Sequence, residues 1–295
     1  MARSISLMST LEIIPNKHFS TFRPMSTKEQ NEYILGTEQA ELHRLGLQHQ
    51  VWSAEAQRGW KAAGFTAGQT ILDLGCGPGF STKELAYIVG QSGKVIGIDK
   101  SENYIKFLSD TKQLHGVNIE AIHSDFDDMQ LTPNSLDGIY CRWALAWISN
   151  PQEVLTKAYN ALKPGGKMVI HEYFDWSTHQ TEPSLPALSK AISMCLKSFK
   201  EQPGDIDVGR QIPSILSDMG MKLTTRPMAK LVTPKELTWH WPKSFYELYF
   251  PKLVEMGYLE SQESIDALRD FHQLEQDPNS HLFCPTLIEV IAEKA

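Results

Sequence analysis

The sequence predicts a doubly wound α/β protein with a mostly parallel sheet, and three observations carry that prediction. Between residues 70 and 175, strand-like apolar runs alternate with stretches of helical length and period. The first run leads directly into Gly75, Gly77 and Gly79, glycine at every second position. The second run, VIGID, closes on an acidic residue, Asp99, about one βα unit later.

Taken in order, residues 70–74, 94–99, 119–123, 136–141 and 167–173 read as strands. Residues 81–90, 101–115 and 151–162 lie between them and are long enough for the crossover helices that parallel neighbours require. Ser101 suits the N-cap of the second helix, and Lys163-Pro164-Gly165-Gly166 is expected to end the helix before the fifth strand. No internal repeat interrupts the series.

Composition narrows the function. With 295 residues, 41% hydrophobic and 21% charged, the chain is of ordinary globular make-up, and no run approaches the ~18 apolar residues of a membrane span. A formal net charge of -7 without a Lys/Arg run argues against nucleic acid or anionic lipid as a partner. Cys76, Cys141, Cys195 and Cys284 show no C-x-x-C spacing, so no metal site or disulfide framework is indicated and a reducing, cytoplasmic setting is expected. Residues 1–27, with Arg3, Lys17 and Arg23 against Glu12 and a second Met at 25, are expected to be a disordered leader. Residues 28–295 are expected to form one domain.

In such sheets ligands sit beyond the carboxyl ends of the strands, where the strand order reverses. Glycines at 75, 77 and 79 permit positive φ and remove Cβ atoms, so the backbone can turn tightly beside a ligand. A dinucleotide fingerprint would need glycine at position 80, where Phe80 stands, and no Gly-Lys-Ser/Thr completes a P-loop. Asp73 places negative charge where a phosphate would be repelled and an ammonium or sulfonium attracted. Asp99 can accept from ribose hydroxyls, while Ser124-Asp125-Phe126 at the third strand end offers an acceptor for an adenine amino group and a ring for its face. Together these residues suit a nucleoside with a cationic tail.

The segments LDLGCGPG, VIGIDKS, HSDFDD, LDGIYCRWALAWI and LKPGGKMVIHEY resemble, in order, the motifs of class I S-adenosylmethionine-dependent methyltransferases. They are most similar to the branch of ubiquinone and menaquinone biosynthesis enzymes, over roughly residues 30–175. The resemblance implies a Rossmann-like sheet of seven strands, the last two over 221–233 and 285–294 and antiparallel at the sheet edge. It also implies cofactor-covering helices over 28–66, a cofactor-binding core over 67–180 and helical lid insertions over 181–210 and 234–284. The implied cofactor is S-adenosyl-L-methionine, released as S-adenosyl-L-homocysteine. Asp73, Gly75, Cys76 and Gly77 would meet its methionyl part and ribose, Asp99 the ribose hydroxyls, Lys100 with Ser124, Asp125 and Phe126 the adenine region. Arg142 would pair with the carboxylate or else brace Asp73, and Tyr33 and Gln48, with Arg44 less directly, would reach the cofactor from the N-terminal helices.

Methyl transfer from sulfonium needs alignment and exclusion of water more than a catalytic side chain. If the acceptor must lose a proton, His171, Glu172 and Tyr173 at the fifth strand end are the expected bases, with His171 and Glu172 on opposite faces. The rings at 239–250, Trp239, His240, Trp241, Phe245, Tyr246, Tyr249 and Phe250, either wall an apolar or aromatic acceptor or form the lid's own core. A small-molecule acceptor is the expected partner. A noncatalytic S-adenosylmethionine binder and, with less support, a nucleic-acid methyltransferase are the alternatives; Cys141-Arg142-Trp143-Ala144 stands where an amino-directed base methyltransferase carries Asn/Asp-Pro-Pro-aromatic.

Overall fold

The computed structural model describes residues 39–295, so the expected leader and Tyr33 lie outside the described residues. A seven-stranded sheet runs in the order β3 (Ile119–His123), β2 (Lys94–Asp99), β1 (Thr70–Leu74), β4 (Leu136–Arg142), β5 (Leu162–Asp175), β10 (Thr286–Glu293), β7 (Lys222–Met228). The first five are mutually parallel, and β10 lies antiparallel between β5 and β7. The chain steps outward from β1 to β3 and then returns to β4 on the other side of β1. The β1/β4 boundary is therefore the reversal in strand order, and the glycine loop leaves the sheet there.

Local chemistry explains the boundaries. Helix α2 (Phe80–Val89) begins after Gly79, whose φ of 81° only glycine adopts without strain. Helix α3 (Glu102–His115) is capped as expected, Ser101 Oγ accepting from the Tyr104 amide at 3.3 Å. Helix α4 (Pro151–Ala161) has Asn150 as its cap and Pro151 in its first turn. One expectation is corrected here: α4 ends at Ala161, and Lys163-Pro164-Gly165-Gly166 belongs to β5. Gly165, at φ 77°, bends that strand so that its amide donates to the Lys294 carbonyl and Gly166 accepts from the Lys294 amide.

The expected strand over 221–233 is divided. β7 stays in the main sheet, whereas β8 (Leu231–Val232) leaves it for a small antiparallel sheet with β6 (Gln180–Glu182) and β9 (His281–Phe283). Above this sheet lie α5 (Pro186–Lys200), α7 (His240–Glu255) and α8 (Ser261–Gln276); α6 (Ile212–Asp218) precedes β7. Trp239, Tyr246, Tyr249 and Phe250 are fully buried among these lid helices, and Trp239 and Tyr246 both pack on Phe271 of α8. Helix α1 (Gln39–Ala63) packs on one face of the sheet over β4, β5 and β10. Arg58 and Glu55 of α1 form ion pairs with Glu289 of β10 and Arg226 of β7, and the 2.5 Å pair is Arg226 to Glu55. Among the described residues, no helix is long and apolar enough to cross a membrane.

Candidate functional site

At the carboxyl end of β1 the three glycines have different reasons. All have positive φ, 72°, 52° and 81°. A Cβ on Gly75 would meet the Ala144 methyl at 2.3 Å, and one on Gly79 would meet Leu108 at 2.3 Å, so these two make room for the protein itself. A Cβ on Gly77 would meet nothing within 4 Å. The tight turn expected of the three glycines is present, and Gly77 is the one whose missing Cβ leaves open space.

Asp99 anchors this loop. Its Oδ2 accepts from the Gly77 amide and its Oδ1 from the Ser101 amide, each at 2.8 Å, which leaves one further lone pair on each oxygen. Asp73 is buried beneath the loop, takes a 2.6 Å hydrogen bond from Thr82, and burial pushes its pKa up to about 6. Cys76 is buried and faces Gly97 on β2. Phe126 comes within reach of Gly75 across the loop, while Ser124 is half-buried and Lys100 and Asp125 are exposed at the same rim.

Beyond the ends of β4 and β5 lies a cavity that is partly open to solvent. Its walls come from α1 (Arg44, Gln48), the β4 exit (Trp143, Trp147), the end of β5 and the turn after it (Tyr173, Trp176, His179), α5 (Phe199) and α7 (Trp241, Pro242, Phe245), with Ile206 and Pro285. Trp143 lies nearly parallel to Trp241 and Tyr173, with ring centroids 5.7 and 5.9 Å apart. It holds φ 54°, a rare conformation for a bulky residue. Of the lid rings singled out in sequence, only Trp241 and Phe245 line the cavity; four are core and His240 is exposed.

Several polar groups on this wall are already engaged. Arg44 forms a bidentate ion pair with Glu41 at 2.7 Å, and Gln48 Oε1 accepts from Arg44 and from Trp241 Nε1 at 2.9 Å. His179 donates through Nδ1 to the Phe283 carbonyl at 2.9 Å, so its Nε2 must be the acceptor for the Tyr246 hydroxyl at 2.6 Å. Burial pushes its pKa down to about 4, which keeps that neutral tautomer.

A family profile described as a methyltransferase domain matches residues 65–219. The chain belongs to this methyltransferase family. Among its curated relatives is the demethylmenaquinone methyltransferase of Oceanobacillus iheyensis, 34% identical over 125 residues, which are 42% of this chain and 51% of the relative. The methyltransferase thus matches about half the length of that relative. Two solved structures share the fold: the YcgJ protein of Bacillus subtilis, with a TM-score of 0.54, 15% identity and coverage of 83% and 98%, and the [4+2]-cyclase SpnF, with a TM-score of 0.51, 16% identity and coverage of 81% and 78%. At those identities the likeness concerns fold alone, and SpnF is named for a different reaction.

The cofactor of this family is S-adenosylmethionine, and three features of the methyltransferase fit it. Gly77 faces open space, Asp99 keeps a lone pair on each oxygen, and Arg142 Nη1 is buried with no hydrogen-bond partner among the described residues. Arg142 has no ion pair with Asp73; its Nη2 lies 3.1 Å from His49 Nδ1 and 3.3 Å from Ser81 Oγ. An unpaired buried guanidinium N–H costs about 1–3 kcal/mol, which an anionic ligand would offset.

The expected bases part company in the structure. His171 and Glu172 do point to opposite faces, and neither lines the cavity. His171 is packed against Gly59 of α1, with Nε2 3.0 Å from Glu289 and Nδ1 3.5 Å from the Tyr140 hydroxyl; burial and then the guanidiniums of Arg142, Arg226 and Arg58 hold its pKa well down. Glu172 accepts from the amides of Ala144 and Leu145 at 2.9 and 2.8 Å, and burial pushes its pKa up to about 8. Both are therefore corrected to structural supports, His171 for α1 and Glu172 for the turn that carries Trp143. Tyr173 does line the cavity, as a neutral phenol whose pKa burial raises. Trp143, Trp147, Trp176 and His179 were not foreseeable as a group from any motif; their signal in the sequence is a cluster of tryptophans just past two strand ends.

Proposed function

We propose that this chain is an S-adenosylmethionine-dependent methyltransferase whose acceptor is a small, flat, apolar or aromatic molecule held among the rings beyond β4 and β5. One observation carries the acceptor class: among the described residues, the cavity is walled by seven aromatic rings besides His179, and its single cation, Arg44, is already neutralised by Glu41. The quinone compound in the name of the Oceanobacillus relative supports the same class.

Bound S-adenosylmethionine supplies an activated methyl on a sulfonium. Gly75, Gly77 and Asp99 would hold its ribose side, Asp125 and Phe126 its adenine, Asp73 and Arg142 its amino-acid end, with Gln48 reaching it from α1. The rings exclude water and fix the acceptor's plane, which is how alignment lowers the barrier. Among the described cavity residues, the titratable side chains are Arg44, Tyr173 and His179, none of them an ionised base. The acceptor therefore reacts as a neutral nucleophile or arrives already deprotonated.

Calorimetric titration of S-adenosylmethionine and S-adenosylhomocysteine, with Asp99→Ala as control, tests the cofactor; mass-spectrometric methyl uptake with quinols, phenols and indoles tests the acceptor. Micromolar binding lost in Asp99→Ala and methylation of a ring compound are expected. Cofactor binding with transfer only to charged, aliphatic acceptors would overturn the acceptor class, and no cofactor binding at all would overturn the whole reading.

A further inference from the structure

The buried guanidinium of Arg142 is held from one side by a chain of hydrogen bonds that begins on a different helix. Arginine only donates, so His49 Nδ1, 3.1 Å from Arg142 Nη2, must be an unprotonated acceptor. The proton of His49 is then on Nε2, which donates to Glu84 Oε1 at 2.9 Å. Glu84 is fixed in turn through Oε2 by Gln57 at 3.0 Å, and the bond from His49 heads the causes that lower its pKa.

The ring of His49 is also held in plane. Phe80 stacks on it at 5.9 Å and 23°, and Gly46 of α1 gives Phe80 its seat, because a Cβ there would come within 3.2 Å of the ring. Phe80 is the residue that departs from the dinucleotide pattern. Its place in the fold gives the departure a purpose: it aligns an imidazole. With Nη2 occupied by His49 and Ser81, Nη1 is the guanidinium nitrogen left buried and unpartnered among the described residues.

We infer that His49 and Glu84 are positioning residues: the Glu84–His49 relay turns Arg142 so that Nη1 meets the carboxylate of the bound cofactor, tying α1 and α2 to that end of the site. The inference rests on the cofactor reading proposed above. It concerns one functional group of the ligand, so it predicts which ligands feel the relay.

The test compares S-adenosylhomocysteine with 5′-methylthioadenosine, which keeps the adenosine and thioether but lacks the amino-acid carboxylate. Calorimetry on the full chain should show His49→Ala weakening S-adenosylhomocysteine about tenfold or more, as loss of a charge-assisted contact does, while methylthioadenosine changes less than twofold. Glu84→Ala, at a half-exposed position, should give a smaller loss of the same selectivity, and His49→Asn, whose amide oxygen can replace Nδ1, should restore part of it. Equal weakening of both ligands, or no change in either, would overturn the relay while leaving the cofactor reading intact. A wild-type protein that binds neither ligand would overturn both together.

Discussion

The two halves of the site are built in opposite ways. The cofactor end uses backbone and short carboxylates from neighbouring strand ends, with Asp73, Gly77 and Asp99 inside 27 residues of sequence. The proposed acceptor end uses large side chains drawn from Arg44 to Pro285. A ligand common to a whole family can be met by backbone, which is insensitive to the rest of the chain. A ligand particular to one member must be met by side chains, which the lid supplies.

The largest predicted effect breaks the backbone half. Gly75→Ala puts a methyl 2.3 Å from Ala144 at a positive φ, so we predict that cofactor binding falls below calorimetric detection and that the melting temperature drops. Normal binding by this variant would mean that the loop and the β4 exit are not packed as one unit. Next is Asp73→Asn. Because burial raises the Asp73 pKa to about 6, its charge opposes folding, and the variant should gain on the order of 1–2 kcal/mol without ligand. The same variant should lose roughly tenfold or more in affinity for the sulfonium cofactor. Stability and affinity moving in the same direction would contradict this account of the buried charge.

Phe245→Ala probes the other half. Since Phe245 lines the cavity from α7, we predict an acceptor KM raised about tenfold with the S-adenosylhomocysteine Kd unchanged within twofold. Equal effects on both constants would dissolve the distinction between the halves.

Smaller still is a pH effect. Asp73 and Glu172 both have folded pKa values raised above their unfolded ones, to about 6 and about 8. Between the unfolded and folded values the native state holds protons that the unfolded state has released, which lowers stability as pH rises; below about pH 6.5 the depressed pKa values of buried His171 and His179 act in the opposite sense, so the net decline is expected from about 6.5 to about 8, where Glu172 acts. Melting curves of the ligand-free protein should show this decline between about pH 6.5 and 8, and Glu172→Gln should flatten it; a melting temperature that climbs across that window would refute the assignment. The smallest effect on stability is expected for Gly77→Ala, where strain alone, about 1 kcal/mol, acts on the ligand-free protein. Because the open space there faces the proposed ribose site, cofactor affinity should fall by more than stability does, and an unchanged affinity would remove Gly77 from the site.

Legibility in the sequence divides along the same line. The first five strands and the Ser101 cap were legible because alternating apolar runs and capping residues act locally, whereas the antiparallel edge followed only from the family resemblance. The roles of His171 and Glu172 were not, because strand alternation says that they face opposite sides but not that Glu289 and the amides of Ala144 and Leu145 wait there. The cavity was legible only in part. Trp241 and Tyr246 look alike in sequence, and what separates wall from core is contact with α5, α8 and the small sheet.

Trp52, Trp143 and Trp241 form a closed trio, with ring centroids 5.1 to 5.7 Å apart and two of the rings nearly parallel. Indoles this close share their electronic excitation, so the trio absorbs and emits as a coupled chromophore. Since two of its members are cavity walls, an aromatic guest would enter the same optical system. The protein thus carries its own unlabelled reporter of occupancy, readable in near-ultraviolet circular dichroism before any substrate has been named.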